Sequence, residues 1–221
     1  MERIIIYGGS FDPIHNGHLR LARAASLRLN ADVVFVPAKD PRWKKPEASP
    51  LDRVNMLHLA LDSDGSGAFS IDLCEMDRSG SVTYSIDTVK EFVKRYPKRQ
   101  LYWLLGADEV NKFPKWKSPE EMASLVNLVY VPRPGVDVDP LILKKYNITA
   151  LDYQGSGPVS SSDVRELKSI DIPASVLQYI ETNNLYFMKK IASFISGKRL
   201  AHSLSVAHLA YAIAQKNKFT F

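Results

Sequence analysis

Along the first two thirds of the chain, apolar residues follow two periods that alternate. Short runs rich in β-branched and aromatic residues, bounded by turn formers, predict strands at Arg3 to Tyr7, Asp32 to Val36, Phe69 to Cys74, Leu101 to Leu105, Asn127 to Val131 and Ile148 to Leu151. Between them, apolar positions recur at helical spacing over Gly17 to Leu29, Leu51 to Leu61, Ser85 to Tyr96, Pro119 to Leu125 and Ser162 to Leu167. Strand then helix, repeated, predicts a doubly wound α/β fold with a mostly parallel sheet covered on both faces. Ligands of such a sheet sit beyond the carboxyl ends of its strands.

The pattern breaks twice. Lys39 to Pro50 is rich in Pro, Lys and charge without a period and reads as a mobile loop, and Gly155 to Pro158 is a second break. After Ile172-Pro173 only helical spacing remains, at Ala174 to Asn183, Phe187 to Ile195 and Arg199 to Gln215. No internal repeat or low-complexity tract interrupts this order.

A chain of 221 residues accommodates one domain with a small appendage. Cys74 is the only cysteine, which excludes an internal disulfide and a multi-cysteine metal cluster and suits a reducing compartment. Ile4-Ile5-Ile6 is too short for a signal segment and no apolar stretch reaches membrane-spanning length, so a cytoplasmic protein without a membrane partner is expected. The formal charge of +5 suits phosphate-bearing partners, but Lys and Arg alternate with Asp and Glu. That excess fits small nucleotides as well as nucleic acid.

The chemistry begins at Gly8-Gly9-Ser10-Phe11-Asp12-Pro13-Ile14-His15-Asn16-Gly17-His18, which follows a buried-looking strand and opens a helix. Glycines there let the backbone approach a ligand, and the amides of the helix start face it, so phosphate is the natural guest. His15 and His18, three residues apart, come to one side of the helix start and could donate to triphosphate oxygens, stabilising charge that builds during displacement. Without a nearby set of carboxylates they are a poor metal site, and none is expected.

This run resembles the HxGH motif of the nucleotidyltransferase superfamily, and its Gly-Gly-Ser-Phe-Asp-Pro opening is similar to the bacterial nicotinate-nucleotide adenylyltransferases. The core motif alone leaves cytidylyltransferases and the pantetheine-phosphate enzyme open. Ser160-Ser161-Ser162-Asp163-Val164-Arg165 resembles the second superfamily motif, ISSTxIR, with Ser162 in place of Thr. Hydroxyls and amides at a helix start with an Arg one turn on make a second phosphate cradle. The resemblance implies a Rossmann-like fold with His15, His18, Lys44 and Arg165 as catalytic groups, and Gly8, Gly9, Ser10, Phe11, Ser160 and Ser161 against ATP. It also assigns Gly106 and Asp108 to the adenosine, and Arg133 of Val131-Pro132-Arg133-Pro134-Gly135 to the adenine.

Thr83-Tyr84-Ser85 resembles the family's SYT, and Lys115-Trp116-Lys117 places an indole where members stack the nicotinate ring. Trp116 is then the stacking platform, with backbone amides near Ser85 and Lys117 as donors to the carboxylate. Trp43 and Trp103 read as packing residues. Asp40-Pro41-Arg42-Trp43-Lys44 occupies the place of NPPHK, Trp43 replacing the His, with Lys45 able to substitute for Lys44. The matches run from Ile4 to about Tyr186.

The implied activity joins the AMP of ATP to nicotinate mononucleotide, giving the deamido dinucleotide and pyrophosphate, with Mg²⁺ carried by the triphosphate and no nucleic-acid partner. Rival readings are an adenylyltransferase preferring the nicotinamide form or another phosphate ester, and a nucleotide-sensing or nucleic-acid-binding module without chemistry. Oligomeric state stays open. Domains are expected at 1–186 and 187–221. In the second, Arg199 to Ala207 resembles the opening helix of HD-type phosphohydrolases. The later His-Asp pair of those enzymes does not follow, so His202 and His208 are not assigned as metal ligands.

Overall fold

The computed structural model describes residues 2–41, 45–78, 82–153, 159–186 and 197–216. Six strands, β1 (Arg3–Gly9), β2 (Asp32–Pro37), β3 (Phe69–Ile71), β4 (Gln100–Gly106), β5 (Asn127–Val131) and β6 (Thr149–Ala150), form one sheet in the order β3-β2-β1-β4-β5-β6. Every pairing is parallel. The order reverses between β1 and β4, and at such a switch point adjacent connections leave toward opposite faces and open a crevice.

The connections are α1 (Asn16–Leu29), α2 (Pro50–Asp62), α3 (Cys74–Asp77), α4 (Ser85–Arg95), α5 (Ala107–Val110), a 3₁₀ turn (Phe113–Lys115), α6 (Pro119–Leu125), α7 (Pro140–Tyr146) and α8 (Ser161–Arg165). Further on lie α9 (Ala174–Thr182) and α10 (Gly197–Lys216). Strands buried on both faces explain the near-continuous apolar runs. Ile4, Ile6, Trp103 and Leu128 join Val89 and Phe92 of α4 and Met122 of α6 in one core cluster. α1 packs on β1, β2 and β5 with Leu19, Ala22 and Ala25 buried.

Most expected boundaries shift by a residue or more, and two of the shifts have a local cause. The strand expected to reach Cys74 stops at Ile71, because Asp72 accepts from the Cys74 amide at 2.9 Å and α3 begins there. The helix expected from Ser162 begins at Ser161, with Ser160 as its cap. α7 was not foreseen, although Asp139 caps it and Asn147 ends it in the left-handed conformation. Cys74 is half-buried, and burial, with Asp72 adding, pushes its thiol up to about 12.

The described chain forms two compact units, residues 1–177 and 178–221. In the second, the Leu185 amide donates to the Ile180 carbonyl at 2.9 Å, closing the turn after α9. Along α10, Val206, Leu209 and Ile213 are exposed at helical spacing. The expected helix at Phe187 to Ile195 lies outside the described residues, as does the Gly155 to Pro158 break. Among the described residues no helix is long and apolar enough to cross a membrane.

Candidate active site

The loop after β1 is shaped by what its glycines leave out. A Cβ on Gly8 would come within 2.7 Å of the Trp103 indole, one on Gly9 within 2.9 Å of the Phe11 ring, and one on Gly17 within 2.6 Å of Val159. These glycines therefore serve close packing around the loop. Phe11 sits at φ 47 with its ring buried against Tyr7, Phe35 and His18. Trp103 is a core residue, as read from the sequence.

His15 caps α1 and is buried. Its Nδ1 accepts from the His18 amide and the His18 Nδ1 accepts from the His15 amide, both at 3.3 Å. The rings stack with centroids 3.7 Å apart. A ring nitrogen that accepts carries no proton, so each imidazole holds its proton on Nε2. Burial, aided by the charges of Arg20 and Arg133, lowers the His15 pKa to about 3, so it stays a neutral donor. Beside this pair, burial, with the Asp108 charge adding, keeps the Tyr7 phenol protonated.

Two residues not assigned from the sequence hold the loop in place. Asp12, buried, accepts from the amides of Glu47 and Ala48 at 2.8 and 3.1 Å. Arg53, wholly buried in α2, donates to the carbonyls of Ser10 and Ala38 at 2.7 Å and of Lys39 at 2.9 Å. The segment expected to be mobile is thus clasped at both described ends, and Pro41 bridges to Thr83. A third tie joins Asn16 and Arg20 to the Asp171 carboxylate at 2.9 and 2.6 Å. Burial works against the Asp171 charge, but the bonds from Arg20 and Asn16 outweigh it and lower its pKa.

Arg165 faces the first loop. It donates to the Asp12 carbonyl at 2.6 Å, to Glu47 Oε1 at 2.9 Å and to Ser162 Oγ at 3.1 Å. Ser160 and Asp163 form a reciprocal cap at the start of α8, whose bonds from Ser160 hold the Asp163 carboxyl below its ordinary value. The Ser161 hydroxyl donates to the Pro13 carbonyl at 2.9 Å. All three serine hydroxyls of the second motif therefore have partners within the protein.

The opposite side is built differently. Gly106 ends β4 and caps α5 without a side-chain bond, so Asp108, exposed, does not cap that helix. Arg133 follows β5 on the same rim. α4 starts after Tyr84 with no side-chain cap, leaving its first amides available. Trp116 packs edge-on against Trp103 at 6.3 Å and is tilted on Phe113 at 5.4 Å. Lys117 Nζ lies 4.2 Å over the Tyr84 ring and 3.3 Å from Asp87. The Thr83 hydroxyl oxygen is buried, with no hydrogen-bond partner among the described residues.

These groups line one cavity of about 1190 Å³, entirely within the first unit. Every described residue assigned to the site from the sequence is on its wall: Gly8, Gly9, Ser10, Phe11, His15, His18, Thr83, Tyr84, Ser85, Gly106, Asp108, Trp116, Lys117, Arg133, Ser160, Ser161 and Arg165. Lys44 and Trp43 lie outside the described residues, and Lys45 is exposed. Among the described residues no group of three or more His, Cys, Asp or Glu could hold a metal ion.

The sequence profile of the cytidylyltransferase-like family matches residues 6–167. A Bacillus subtilis protein named nicotinate-nucleotide adenylyltransferase is 37% identical over 194 residues, covering 84% of this chain and 99% of its own. The chain belongs to the nicotinate-nucleotide adenylyltransferase family. A Mycoplasma genitalium member of this family, named "Probable nicotinate-nucleotide adenylyltransferase/Ap4A hydrolase", is 34% identical over 98% of this chain. The chain spans 61% of that relative's length. The fold is also that of the Plasmodium falciparum nicotinic acid mononucleotide adenylyltransferase solved with NaAD, at TM-score 0.73 and 22% identity, covering 85% of this chain and 98% of that one.

Proposed function

We propose that this chain transfers AMP from ATP to nicotinate mononucleotide, releasing pyrophosphate and forming the deamido dinucleotide. The observation that carries this reading is a single cavity with two unlike ends. One end presents the His15–His18 pair and Arg165, and the other the uncapped start of α4 across from Trp116. The cavity is as large as or larger than a site for one small ligand, which suits two substrates. The names of the relatives support the same chemistry.

In this reading a phosphate oxygen of the mononucleotide attacks the α-phosphorus of ATP as the bond to pyrophosphate breaks. No protein nucleophile takes part, so the chain positions the reactants and stabilises charge. The Nε2 protons of His15 and His18 donate to phosphate oxygens, and Arg165 and Lys44 serve the β and γ phosphates. Gly106, Asp108 and Arg133 receive the adenosine. The nicotinate carboxylate takes amides near Ser85 and Lys117, with its ring on Trp116. Mg²⁺, which offsets triphosphate charge, would arrive on ATP and keep mainly phosphate and water ligands. The imidazole and guanidinium groups at that end suit phosphate oxygens rather than the ion.

Pyrophosphate release measured with ATP and, in turn, nicotinate mononucleotide, nicotinamide mononucleotide and phosphopantetheine tests the reading. Preferred turnover of the nicotinate form is expected. Preference for either alternative, or ATP binding without turnover, would overturn it.

For residues 187–221 we propose the start of an HD-type domain, with 1–186 as the transferase. The double name of the Mycoplasma relative, matched over nearly the whole chain, supports this. Removing everything after Tyr186 is expected to leave adenylyl transfer largely intact. A folded, monodisperse but inactive truncation would contradict that division.

A further inference from the structure

Glu75 is a carboxylate in α3, only 4% exposed, on the cavity wall beside Thr83, Tyr84 and Ser85. A charge buried so deeply is costly unless its oxygens are occupied. Its Oε1 accepts from the Thr88 hydroxyl at 2.6 Å, and Thr88 is itself fully buried in α4. A hydroxyl has one proton to give, so Thr88, having donated to Glu75, is left as an acceptor. It receives Arg78 Nη1 at 3.3 Å, and Arg78 Nη2 pairs with Glu91 at 2.8 Å. The chain Glu75, Thr88, Arg78, Glu91 therefore ties α3 to α4.

This tie falls where α4 lacks the usual device for fixing its start. Tyr84 offers no side-chain cap, and from the solvent side the first turn is met by Lys117, over Tyr84 and beside Asp87. From the buried side it is met by Glu75 through Thr88. We propose that Glu75 is a positioning residue for the mononucleotide: through Thr88 it sets the first turn of α4, and so the backbone beside Ser85, against the pyridine ring. The proposal rests on the assignment of that end of the cavity to the nicotinate group.

The test is steady-state kinetics on Thr88→Val, which keeps the shape and deletes the hydroxyl, and Thr88→Ser, which restores it. Thr88→Val is expected to raise KM for nicotinate mononucleotide by about tenfold while KM for ATP stays within about twofold, since deleting the hydroxyl leaves the buried Glu75 oxygen unsatisfied. Thr88→Ser should return both to near the parent values. Glu75→Ala should reproduce the valine phenotype, and the double variant should add little to either single one, as expected of groups acting through one another. If Thr88→Val does not fold, Thr88→Cys, a weaker donor of similar size, should show a smaller rise of the same kind.

Unchanged KM for the mononucleotide in the folded variants, equal losses toward both substrates, or full additivity in the double variant would overturn the proposal while the parent still turns over. A parent inactive with both pyridine mononucleotides would overturn the functional reading and the proposal with it.

Discussion

At one end of the cavity, α1 and α8 both begin with reciprocal side-chain caps, His15 with His18 and Ser160 with Asp163; at the other, α4 begins with none. At the capped end the His18 and Asp163 amides go to the caps and the Asn16 amide to the Asp171 carbonyl, and side-chain heads stand beside these helix starts as donors: two imidazole Nε2 groups and a guanidinium. These are held by Asp12, Glu47 and each other rather than by the ligand. The uncapped end has no side-chain cap bond at its helix start; there Glu75 accepts from Thr88 of α4, Lys117 lies over Tyr84, and Trp116 packs on Trp103. An end that stabilises charge during transfer benefits from donors fixed beforehand. An end that selects a base benefits from donors that a second ligand dipole can fail to match.

The largest expected effect breaks the capped end. His18→Ala should remove one donor at the α-phosphate and the partner that holds His15, lowering kcat by roughly 100- to 1000-fold for a loss of about 3 to 4 kcal/mol in the transition state. KM for the mononucleotide should change little. A rate within about threefold of the parent, under about 1 kcal/mol, would contradict the role.

Asp12→Ala should act first on stability. It strands the buried Ala48 amide and the partly buried Glu47 amide, and a loss of about 1 to 3 kcal/mol is expected. Because the Arg165 guanidinium lies 3.8 Å from the lost carboxylate and bonds Glu47, whose amide that carboxylate holds, KM for ATP should rise more than KM for the mononucleotide. Chemical denaturation and kinetics on the same variant check both.

The next effect comes from pH. His15 is neutral in the folded protein down to about 3, whereas the unfolded chain takes up its proton below 6.5. Between these values the unfolded state binds more protons, so this residue's contribution is complete above 6.5 and is lost as pH falls toward 3. His15→Asn, which retains a capping oxygen but no titration, should flatten the fall in denaturation midpoint over that range. Parallel pH curves for parent and variant would contradict the assignment.

Much of this was legible in the chain itself, for reasons that separate local from distant information. The strands are runs that bury both faces, and the cavity wall is built from loops directly following them, so residues such as Gly8, His18, Gly106 and Arg133 are found together by topology alone. What the sequence hid are side chains whose partners lie far along the chain. Asp12 meets an amide 35 residues on, and Arg53, within a stripe of Val54, Met56 and Leu57, reaches a carbonyl 43 residues back. A buried arginine in an apolar face has no local signature. The hydroxyls of Ser160 to Ser162 read from the sequence as part of a phosphate cradle; their bonds to Asp163, Pro13 and Arg165 become visible only with the fold. α7 escaped because Leu141, Ile142 and Leu143 are contiguous rather than spaced, with Leu141 mostly exposed.

The most direct test of the contrast between the two ends is the ratio of kcat/KM for nicotinate over nicotinamide mononucleotide, measured in the parent and in Trp116→Ala. Losing the indole should cost on the order of 1 to 3 kcal/mol of mononucleotide binding, by analogy with bases on aromatic rings. Backbone donors survive a side-chain substitution, and a carboxamide presents its own NH₂ to one of them where a carboxylate accepts from both. The account therefore predicts a parent that favours the acid form and a variant weaker toward both substrates with the ratio kept within about threefold, under about 1 kcal/mol. A ratio near one in the parent, or one that collapses when Trp116 is removed, would contradict selection by the uncapped start of α4.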